Sequence, residues 1–262
     1  MTNESDYIQY FANLRQKICK TSESDNRLYP IFCKLASKNV DFFKTFKSNK
    51  IYNSIVENVC YKSGIQYIDY FKNNSLIINN IEKFTINDKL GNSEKFEYDI
   101  GSFSPTTLQY IKILSDLAHY NLNNYNIVEI GPGYGGQYTI IRQLFKPRKY
   151  TFIDLESVLN LIKTYVTTLN LDDIELEYLH HTKLNVSSYD LVISNFALSE
   201  CDYELQDLYI NHIIKNSQHG YILYNNLRGY NHVEFANIIA EKNVSISEEK
   251  PKNSENTVLI TW

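Results

Sequence analysis

The sequence lacks any cluster of basic residues. Its 26 lysines and arginines are scattered through 262 residues, and the formal net charge is −4. A nucleic-acid surface normally shows a basic stripe, because neutralising the phosphates supplies much of the affinity. We therefore expect no nucleic-acid partner, and a substrate that is small or neutral.

Cysteine pairs and long apolar runs are also missing. The four cysteines show no C-x-x-C spacing, which argues against a zinc site and a disulfide framework, and we predict free thiols and no metal. No apolar run approaches the ~18 residues that span a bilayer. Met1 to Tyr10 is polar and acidic, unlike a signal peptide. These features predict a soluble, cytoplasmic protein with no membrane partner.

The first part of the chain has short helical patterns and no motif. The hydrophobic content of 43% is enough for a core. Ile31 to Phe46 and Asn49 to Tyr70 follow a helical period, whereas Ser75 to Ile78 and Lys83 to Ile86 favour short strands. We predict that residues 1–100 form a mostly helical cap region and that residues 101–262 form the main domain.

From Ser104 onward, strands and helices alternate. Ser104 and Pro105 are typical of a helix start, and a one-sided apolar pattern follows them. Strands are predicted at Asn126 to Ile130, Lys149 to Ile153, Ile174 to Leu179, Tyr189 to Ser194 and Tyr221 to Asn225. Helices are predicted at about Gly136 to Phe145, Leu155 to Leu169 and Tyr203 to Ser217. This alternation indicates an α/β fold, a mainly parallel Rossmann-like sheet covered on both faces.

Two connections in this region are unusual. His180 to Ser188 is short for a crossover between parallel strands, so it is either an extended loop or a sign that the strand borders differ. The apolar end of the chain, Thr257 to Trp262, is predicted to pair with Asn243 to Ser247 as an antiparallel hairpin.

A glycine loop directly follows the first of these strands. Gly131, Gly133 and Gly136 satisfy G-x-G-x-x-G between a strand and a helix, where glycine allows unusual backbone angles and a close approach of a ligand. Alone, such a pattern also occurs in plain turns. Asp154 ends the next strand, where a carboxylate accepts hydrogen bonds from both ribose hydroxyls of a nucleoside cofactor. Its alternative role is that of a helix N-cap. The two elements together favour a cofactor site.

Two cofactors fit this loop, a nicotinamide dinucleotide and S-adenosylmethionine. Glu129, two residues before the first glycine, stands where methyltransferases place an acid that organises the loop. The long upstream region and the predicted C-terminal hairpin are also typical of methyltransferases. We predict S-adenosylmethionine as the cofactor. The predicted cofactor contacts are Glu129, Gly131, Gly133, Tyr134, Gly135, Gln137, Asp154, Leu155, His181 and Asn195.

Residues 90 to 226 resemble a family of sugar O-methyltransferases. The stretches that carry the resemblance are Gly91-Asn92, Ser104 to Tyr110, Ile127 to Gln137, Tyr150 to Glu156, Ile193 to Glu200 and Gly220 to Asn226. The chain departs from the family pattern at Ser93 and Ser157, outside the proposed chemistry. The resemblance implies a methyltransferase sheet, S-adenosylmethionine as the cofactor and a sugar hydroxyl, free, nucleotide-linked or in a glycan, as the acceptor.

The base for such a transfer is expected at the carboxyl ends of the strands. An alcohol is a poor nucleophile at neutral pH, so a nearby group must take its proton. Glu200, after the fourth strand, is our predicted base, and its alternative role is to favour the start of the next helix. His180 and His181 either flank the adenine or cap a turn, and Tyr134 either closes over the cofactor or packs.

Three functions are therefore compared. The first is a sugar O-methyltransferase, the second a nicotinamide-dependent oxidoreductase on the same loop, and the third an inactive methyltransferase fold that acts as a binding protein. Glu129 and the C-terminal hairpin favour the first over the second. The intact set of Gly131, Gly133 and Asp154 favours it over the third.

Overall fold

A seven-stranded mixed sheet organises the chain. The computed structural model describes residues 28–252 and 256–262, so the polar stretch Met1 to Tyr10 and Cys19 lie outside the described residues. The strands are β1 (Phe96–Tyr98), β2 (Gly101–Phe103), β3 (Asn126–Ile130), β4 (Lys149–Ile153), β5 (Glu175–Leu179), β6 (Tyr189–Asn195), β7 (Ser217–Tyr224), β8 (Ser245–Glu248) and β9 (Val258–Thr261). The short strands β1 and β2 form a separate antiparallel pair.

The order of the main sheet is β5-β4-β3-β6-β7-β9-β8. The first five strands are parallel to one another, whereas β9 runs antiparallel to both β7 and β8. The predicted mainly parallel sheet with an antiparallel C-terminal strand is therefore confirmed. The predicted Tyr221 to Asn225 strand was four residues short at its start, because β7 begins at Ser217.

Helices precede the sheet and connect its strands. They are α1 (Tyr29–Ala36), α2 (Val40–Lys44), α3 (Lys50–Asn53), α4 (Tyr61–Phe71), α5 (Ser75–Ile78), α6 (Pro105–Leu117), α7 (Gly136–Ile141), α8 (Glu156–Thr168), α9 (Tyr203–His212) and α10 (His232–Ile238). Within the described residues, none is long and apolar enough to cross a membrane.

Both faces of the sheet are covered, because its side chains alternate between them. Ile127 of β3 belongs to the larger hydrophobic cluster, with residues of α6, α7 and α8 and of the N-terminal helices. Val128, the next residue, belongs to the second cluster, with residues of α9 and α10. The N-terminal helices therefore share a core with one face of the sheet. The division of the chain at residue 100 stays a prediction.

The two strands predicted before residue 90 are wrong. Ser75–Ile78 is the short helix α5, and residues 81–88 form 3₁₀ turns. The side chain of Asn74 accepts hydrogen bonds from the backbone N–H groups of Leu76 and Ile77, which starts the helix. The long helical pattern Ile31 to Phe46 is likewise interrupted, because Asn39 caps a new helix at Val40. Local asparagine caps thus override the apolar pattern.

The short link between β5 and β6 is an extended loop with one 3₁₀ turn, His181–Lys183. It runs from the carboxyl end of the edge strand β5, past β4 and β3, to the amino end of β6, about 14 Å across the sheet and about 17 Å back along the strands, or ~22 Å in a straight line. Nine residues reach about 30 Å when extended, so no helix is needed.

A close contact holds the C-terminal strand in the sheet. A Cβ atom on Gly220 of β7 would lie 2.2 Å from the indole ring of Trp262, which follows β9. We predict that Gly220→Ala lowers the free energy of unfolding by about 1–3 kcal/mol, because the ring must move. Chemical unfolding measures this. In a Trp262→Leu background the same change should have little effect, and an equal loss in both backgrounds would contradict the contact.

Candidate functional site

A cavity of 520 Å³ opens at the carboxyl ends of the parallel strands. Residues that follow β3, β4, β5, β6 and β7 line one side of it. Residues from the loop between α3 and α4, from the start of α4 and from α6 line the other. Ligands of open α/β sheets bind at this edge, where neighbouring strand ends leave a crevice. Seven of the predicted cofactor contacts and Glu200 lie on the wall; those seven are Glu129, Gly131, Gly133, Asp154, Leu155, His181 and Asn195.

Gly131 allows the loop after β3 to approach the loop after β6. Its φ angle is +69°, and a Cβ atom there would lie 2.0 Å from the Cβ of Ala197. Any larger residue would therefore be strained and would also push the two loops apart. Ser194 reinforces the contact, since its hydroxyl donates to the carbonyl of Ile130 (3.2 Å) and accepts from the N–H of Leu198 (3.1 Å).

Asp154 directly follows β4, beside the glycine loop. One of its carboxylate oxygens accepts a hydrogen bond from the N–H of Leu155 (2.7 Å), and the backbone N–H of Gly133 adds a smaller stabilisation of the ionised form. The residue does not cap α8, which begins at Glu156 with Leu155 as N-cap and no side-chain cap. Burial raises the pKa of Asp154 to about 7, against these two interactions, which lower it. The carboxylate is thus tied to the loop and partly desolvated.

Glu129 lies on β3 beneath the loop and is 1% exposed. It accepts a hydrogen bond from the hydroxyl of Tyr150 (2.7 Å). Burial raises the pKa of Glu129 to about 8; the Tyr150 bond lowers it, and the charge of Asp154 adds to the rise. Two neighbouring carboxyl groups therefore lie in a poorly solvated part of the cavity, an arrangement that favours a bound positive charge.

The segment after β6 brings Asn195 and Glu200 to the cavity wall. Phe196 adopts a left-handed conformation (φ 70°), rare for a bulky residue, and starts a 3₁₀ turn, Ala197–Glu200. Asp202 caps α9 by accepting a hydrogen bond from the N–H of Leu205 (3.0 Å). The cap that was the alternative role of Glu200 is therefore supplied by Asp202.

Three of the predicted cofactor contacts do not line the cavity. Tyr134 is buried, and its hydroxyl accepts a hydrogen bond from Asn87 (2.9 Å) while the ammonium group of Lys47 lies 4.0 Å from its ring centre. Gln137 donates to the carbonyl of Tyr110 (3.2 Å) within the core. Gly135 is the N-cap of α7 and faces Ile162 of α8. These residues support the loop from below, since the loop turns its other side to the cavity.

The two adjacent histidines have different surroundings. His181 lines the cavity, whereas His180 is engaged with the Thr182 hydroxyl (2.9 Å) and caps the 3₁₀ turn on the surface. Within the described residues, no group of three or more His, Cys, Asp or Glu side chains is placed to hold a metal ion. Of the cysteines, Cys33, Cys60 and Cys201 are free.

Sequence reasoning missed the helical side of the wall. Asn58, Cys60 and Ser63 lie in a region without a recognisable motif, so nothing in the sequence marked them. Gln109 is different, because it belongs to the Ser104 to Tyr110 stretch on which the family resemblance depends. The resemblance of that stretch could therefore have marked Gln109 as a residue of the cavity wall.

The stretch at the start of α6 also builds a buried polar network. Asp88 accepts hydrogen bonds from the hydroxyls of Ser93 (3.0 Å), Ser104 (2.7 Å) and Thr107 (2.7 Å). Asn87, the preceding residue, reaches Thr107 and the glycine loop. The network connects α6 and the 81–88 turns to the loop from the side opposite the cavity.

Comparisons with known proteins add little for this chain. No family model matches it, and no curated protein does either. Its structure is similar to that of magnesium protoporphyrin IX methyltransferase from Synechocystis PCC 6803 with bound SAM, with 11% identity, 77% of this chain and 97% of the other covered, and a TM-score of 0.46. A SAM-dependent methyltransferase from Aquifex aeolicus shares 14% identity over 56% of this chain and 86% of its own, with a TM-score of 0.41.

A third similar structure is an O-methyltransferase family 2 protein from Planctomyces limnophilus in complex with apigenin. It shares 12% identity over 53% of this chain and 49% of its own, with a TM-score of 0.40. At these identities and scores the likenesses carry no weight for activity or substrate.

The raised pKa of Asp154 predicts a specific pH dependence of stability. Its folded pKa of about 7 lies above the unfolded value of about 3.9, so the folded state binds the proton more tightly. The ligand-free protein should then lose about 1–3 kcal/mol of unfolding free energy from this group between pH 4 and 7. We predict that Asp154→Asn removes this loss and is more stable than the parent at pH 8.

Unfolding experiments at pH 5 and pH 8 test this, with Asp99→Asn, an exposed carboxyl group on a turn, as the charge-matched control. If Asp154→Asn and Asp99→Asn had the same effect at both pH values, Asp154 would not be desolvated in the folded protein.

Proposed function

We propose that this protein is an S-adenosylmethionine-dependent O-methyltransferase that acts on a sugar hydroxyl. One observation carries the cofactor assignment. Three carboxyl groups, those of Glu129, Asp154 and Glu200, line the cavity around the glycine loop, and none of its described lining residues is lysine or arginine. Such a wall favours a cofactor with a positive charge, here a sulfonium, over one that carries phosphates.

A nicotinamide dinucleotide fits this wall poorly. Its pyrophosphate brings two negative charges to a glycine loop, where they further disfavour the ionised forms of neighbouring carboxyl groups whose pKa burial already raises. Glu129 and Asp154 both lie beside the loop. The oxidoreductase function is therefore disfavoured on charge, in addition to the sequence pattern.

Residues after different strands contact different parts of the cofactor. Asp154 accepts hydrogen bonds from the ribose hydroxyls, and the backbone of Gly131 and Gly133 allows the cofactor to lie against the loop. Leu155 and His181, after β4 and β5, lie on the side of the nucleoside. The bound cofactor supplies an electrophilic methyl group.

Glu200 acts at the other side of the glycine loop, because β6 lies beside β3 opposite β4. In the proposed reaction the acceptor oxygen forms a bond to the methyl carbon as the carbon–sulfur bond breaks, and the Glu200 carboxylate takes the hydroxyl proton. Positioning is the main contribution of the protein to such an in-line transfer. The Gly131–Ala197 contact holds the two loops at a fixed separation and so supports this positioning.

The sugar as acceptor is supported by the family resemblance of residues 90 to 226. All of the stretches that carry it except Gly91-Asn92 contribute residues to the cavity wall. Ile193 to Glu200 covers the end of β6 and the turn after it, and Ser104 to Tyr110 contributes Gln109 and Tyr110. An inactive binding protein would bind the cofactor but show no turnover. Calorimetry with the cofactor and a methyl-transfer assay together distinguish it from an enzyme.

We predict that the protein binds S-adenosylmethionine and S-adenosylhomocysteine but not NAD. Asp154→Ala removes the ribose acceptor and should weaken binding by about 1.5–3 kcal/mol, the range for a hydrogen bond to a charged group. Isothermal titration calorimetry with the three ligands measures this, and Asp99→Ala serves as the control on an exposed turn. Binding of NAD without affinity for either sulfur nucleoside would exclude the proposal.

We predict that Glu200→Gln lowers turnover about 10²–10⁴-fold, because the amide keeps the shape but cannot take the proton. Its cofactor affinity and melting temperature should stay close to those of the parent. Glu204→Gln, the same change at an exposed site in the first turn of α9, should methylate at the parental rate. A folded Glu200→Gln protein with parental turnover would remove Glu200 as the base and direct attention to His181.

A further inference from the structure

Three amide side chains on the cavity wall have no hydrogen-bond partner in the described part of the chain. They are Asn58, before α4; Gln109, on α6; and Asn195, at the end of β6. Asn225, which also lines the cavity, is different, because its amide oxygen accepts a hydrogen bond from Ser199 (2.5 Å). The first three amides are therefore available to a ligand, whereas Asn225 serves the packing of the loops.

Asn195 shows this most clearly. Its amide nitrogen and its amide oxygen are both buried, and neither has a partner. Buried polar atoms are nearly always hydrogen-bonded, since leaving them unpaired destabilises the folded state. The amide cannot easily turn away, because the left-handed Phe196 and the Ser194 bonds fix the backbone on both sides. Its geometry fits a ligand group that donates and accepts at once.

The order of the strands separates these amides from the nucleoside end of the site. Asp154 follows β4 and His181 follows β5, on one side of the glycine loop. Asn195 follows β6, on the other side, together with the proposed base Glu200. Asn58 and Gln109 come from the helical wall opposite the strand ends. Asn195 thus lies on the side of the glycine loop that holds the proposed base, and Asn58 and Gln109 line the same cavity from its helical wall.

The chemistry of this part of the wall matches hydroxyl groups. Each amide offers two N–H donors and a carbonyl acceptor, and a hydroxyl group likewise both donates and accepts. A phosphate only accepts, and it is repelled by carboxylates. The cavity presents Glu129, Asp154 and Glu200, with no lysine or arginine among its described lining residues.

We infer that Asn58, Gln109 and Asn195 form the acceptor subsite, and that this subsite selects an uncharged polyhydroxyl acceptor and rejects phosphate-bearing ones, nucleotide-linked sugars included. The inference rests on the proposed methyltransferase function. It assigns Asn195, a predicted cofactor contact, to the acceptor, and it narrows the choice among free, nucleotide-linked and glycan-bound sugars to the uncharged forms.

An acceptor panel tests the charge selection. The wild-type protein is incubated with methyl-labelled S-adenosylmethionine and one acceptor at a time. The neutral acceptors are the methyl glycosides of glucose, galactose, mannose and rhamnose. The charged acceptors are the 1-phosphates and the uridine diphosphate esters of the same four sugars. We expect transfer to neutral glycosides, with kcat/KM for the matching phosphates at least about tenfold lower. Equal or better transfer to a phosphate, or no transfer to any neutral glycoside by a protein that binds the cofactor, would overturn the subsite.

Cofactor affinity is measured first in the same preparation. A protein that does not bind S-adenosylmethionine contradicts the proposed function itself, whereas intact affinity with transfer to phosphates contradicts only the subsite. The two failures are thus distinguishable.

Variants test the individual amides. Gln109→Leu, Asn58→Leu and Asn195→Leu replace the amides by apolar side chains and remove the hydrogen bonds, so KM for the neutral acceptor should rise about fivefold or more with little change in cofactor Kd. Asn195→Leu should also raise the melting temperature, because it removes an unpaired buried amide. Gln218→Leu, at the opposite edge of the sheet on an exposed position of β7, is the matched control and should change neither value.

Comparing the acceptor KM with the cofactor Kd shows whether Asn195 belongs to the acceptor subsite or to the cofactor site. If Asn195→Leu raised the cofactor Kd and left the acceptor KM unchanged, Asn195 would belong to the cofactor site. If none of the three variants changed the acceptor KM, the subsite would be wrong.

Discussion

The contact between Gly131 and Ala197 is the constraint on which the proposed site depends. It brings the loop after β3 against the loop after β6, at a distance that leaves no room for a side chain on residue 131. Two parallel strands alone leave a crevice at their carboxyl ends. The contact closes the bottom of this crevice, so that Asp154 and Glu200 face the same cavity from opposite sides of the glycine loop.

The glycine loop is supported by the 3₁₀ turn at Phe46–Ser48, between α2 and α3, together with α6 and α8. Tyr134 lies in a cluster of aromatic rings with Phe46, Tyr110 and Tyr165, and the buried ammonium group of Lys47 lies against it. Burial lowers the pKa of Lys47, against the charges of Glu57 and Asp88, which raise it. A charged group held in this way is stabilised by ring faces and by carboxylates together. Residues from the part of the chain without a recognisable motif therefore hold the glycine loop in place, on the side away from the cavity.

The sequence predicted the sheet well and the helical region poorly, for physical reasons. The strands β3 and β4 are short apolar runs bounded by turn residues, and both were predicted with their observed ends. Before residue 90, apolar pairs such as Ile77 and Ile78 fit a strand as well as a short helix, and the deciding interaction is a single cap from Asn74. Such a cap is a weak signal in sequence, although it is decisive in the structure.

In the site, too, some residues were predictable from the sequence and others were not. Glu129, Gly131, Gly133 and Asp154 were predicted from spacing, because a nucleoside cofactor requires particular residue types after adjacent strands, and all four line the cavity. The sequence did not show that Tyr134 and Gln137 turn away from the cavity, since the loop's two sides differ only through packing against distant helices. The sequence did not mark Asn58 either, because its position also depends on packing between distant segments. Its role depends on how the segment before α4 folds over the strand ends.

Backbone hydrogen exchange with and without S-adenosylmethionine tests the central claim, that this cavity holds the cofactor, most directly. The account predicts that the ligand slows exchange in the glycine loop, residues 131–136, and after β4 at residues 154–155. Exchange in the groove at the opposite edge, near Arg148 and Lys215, should not change. Protection at that groove, or no protection at the strand ends under saturating ligand, would contradict the account.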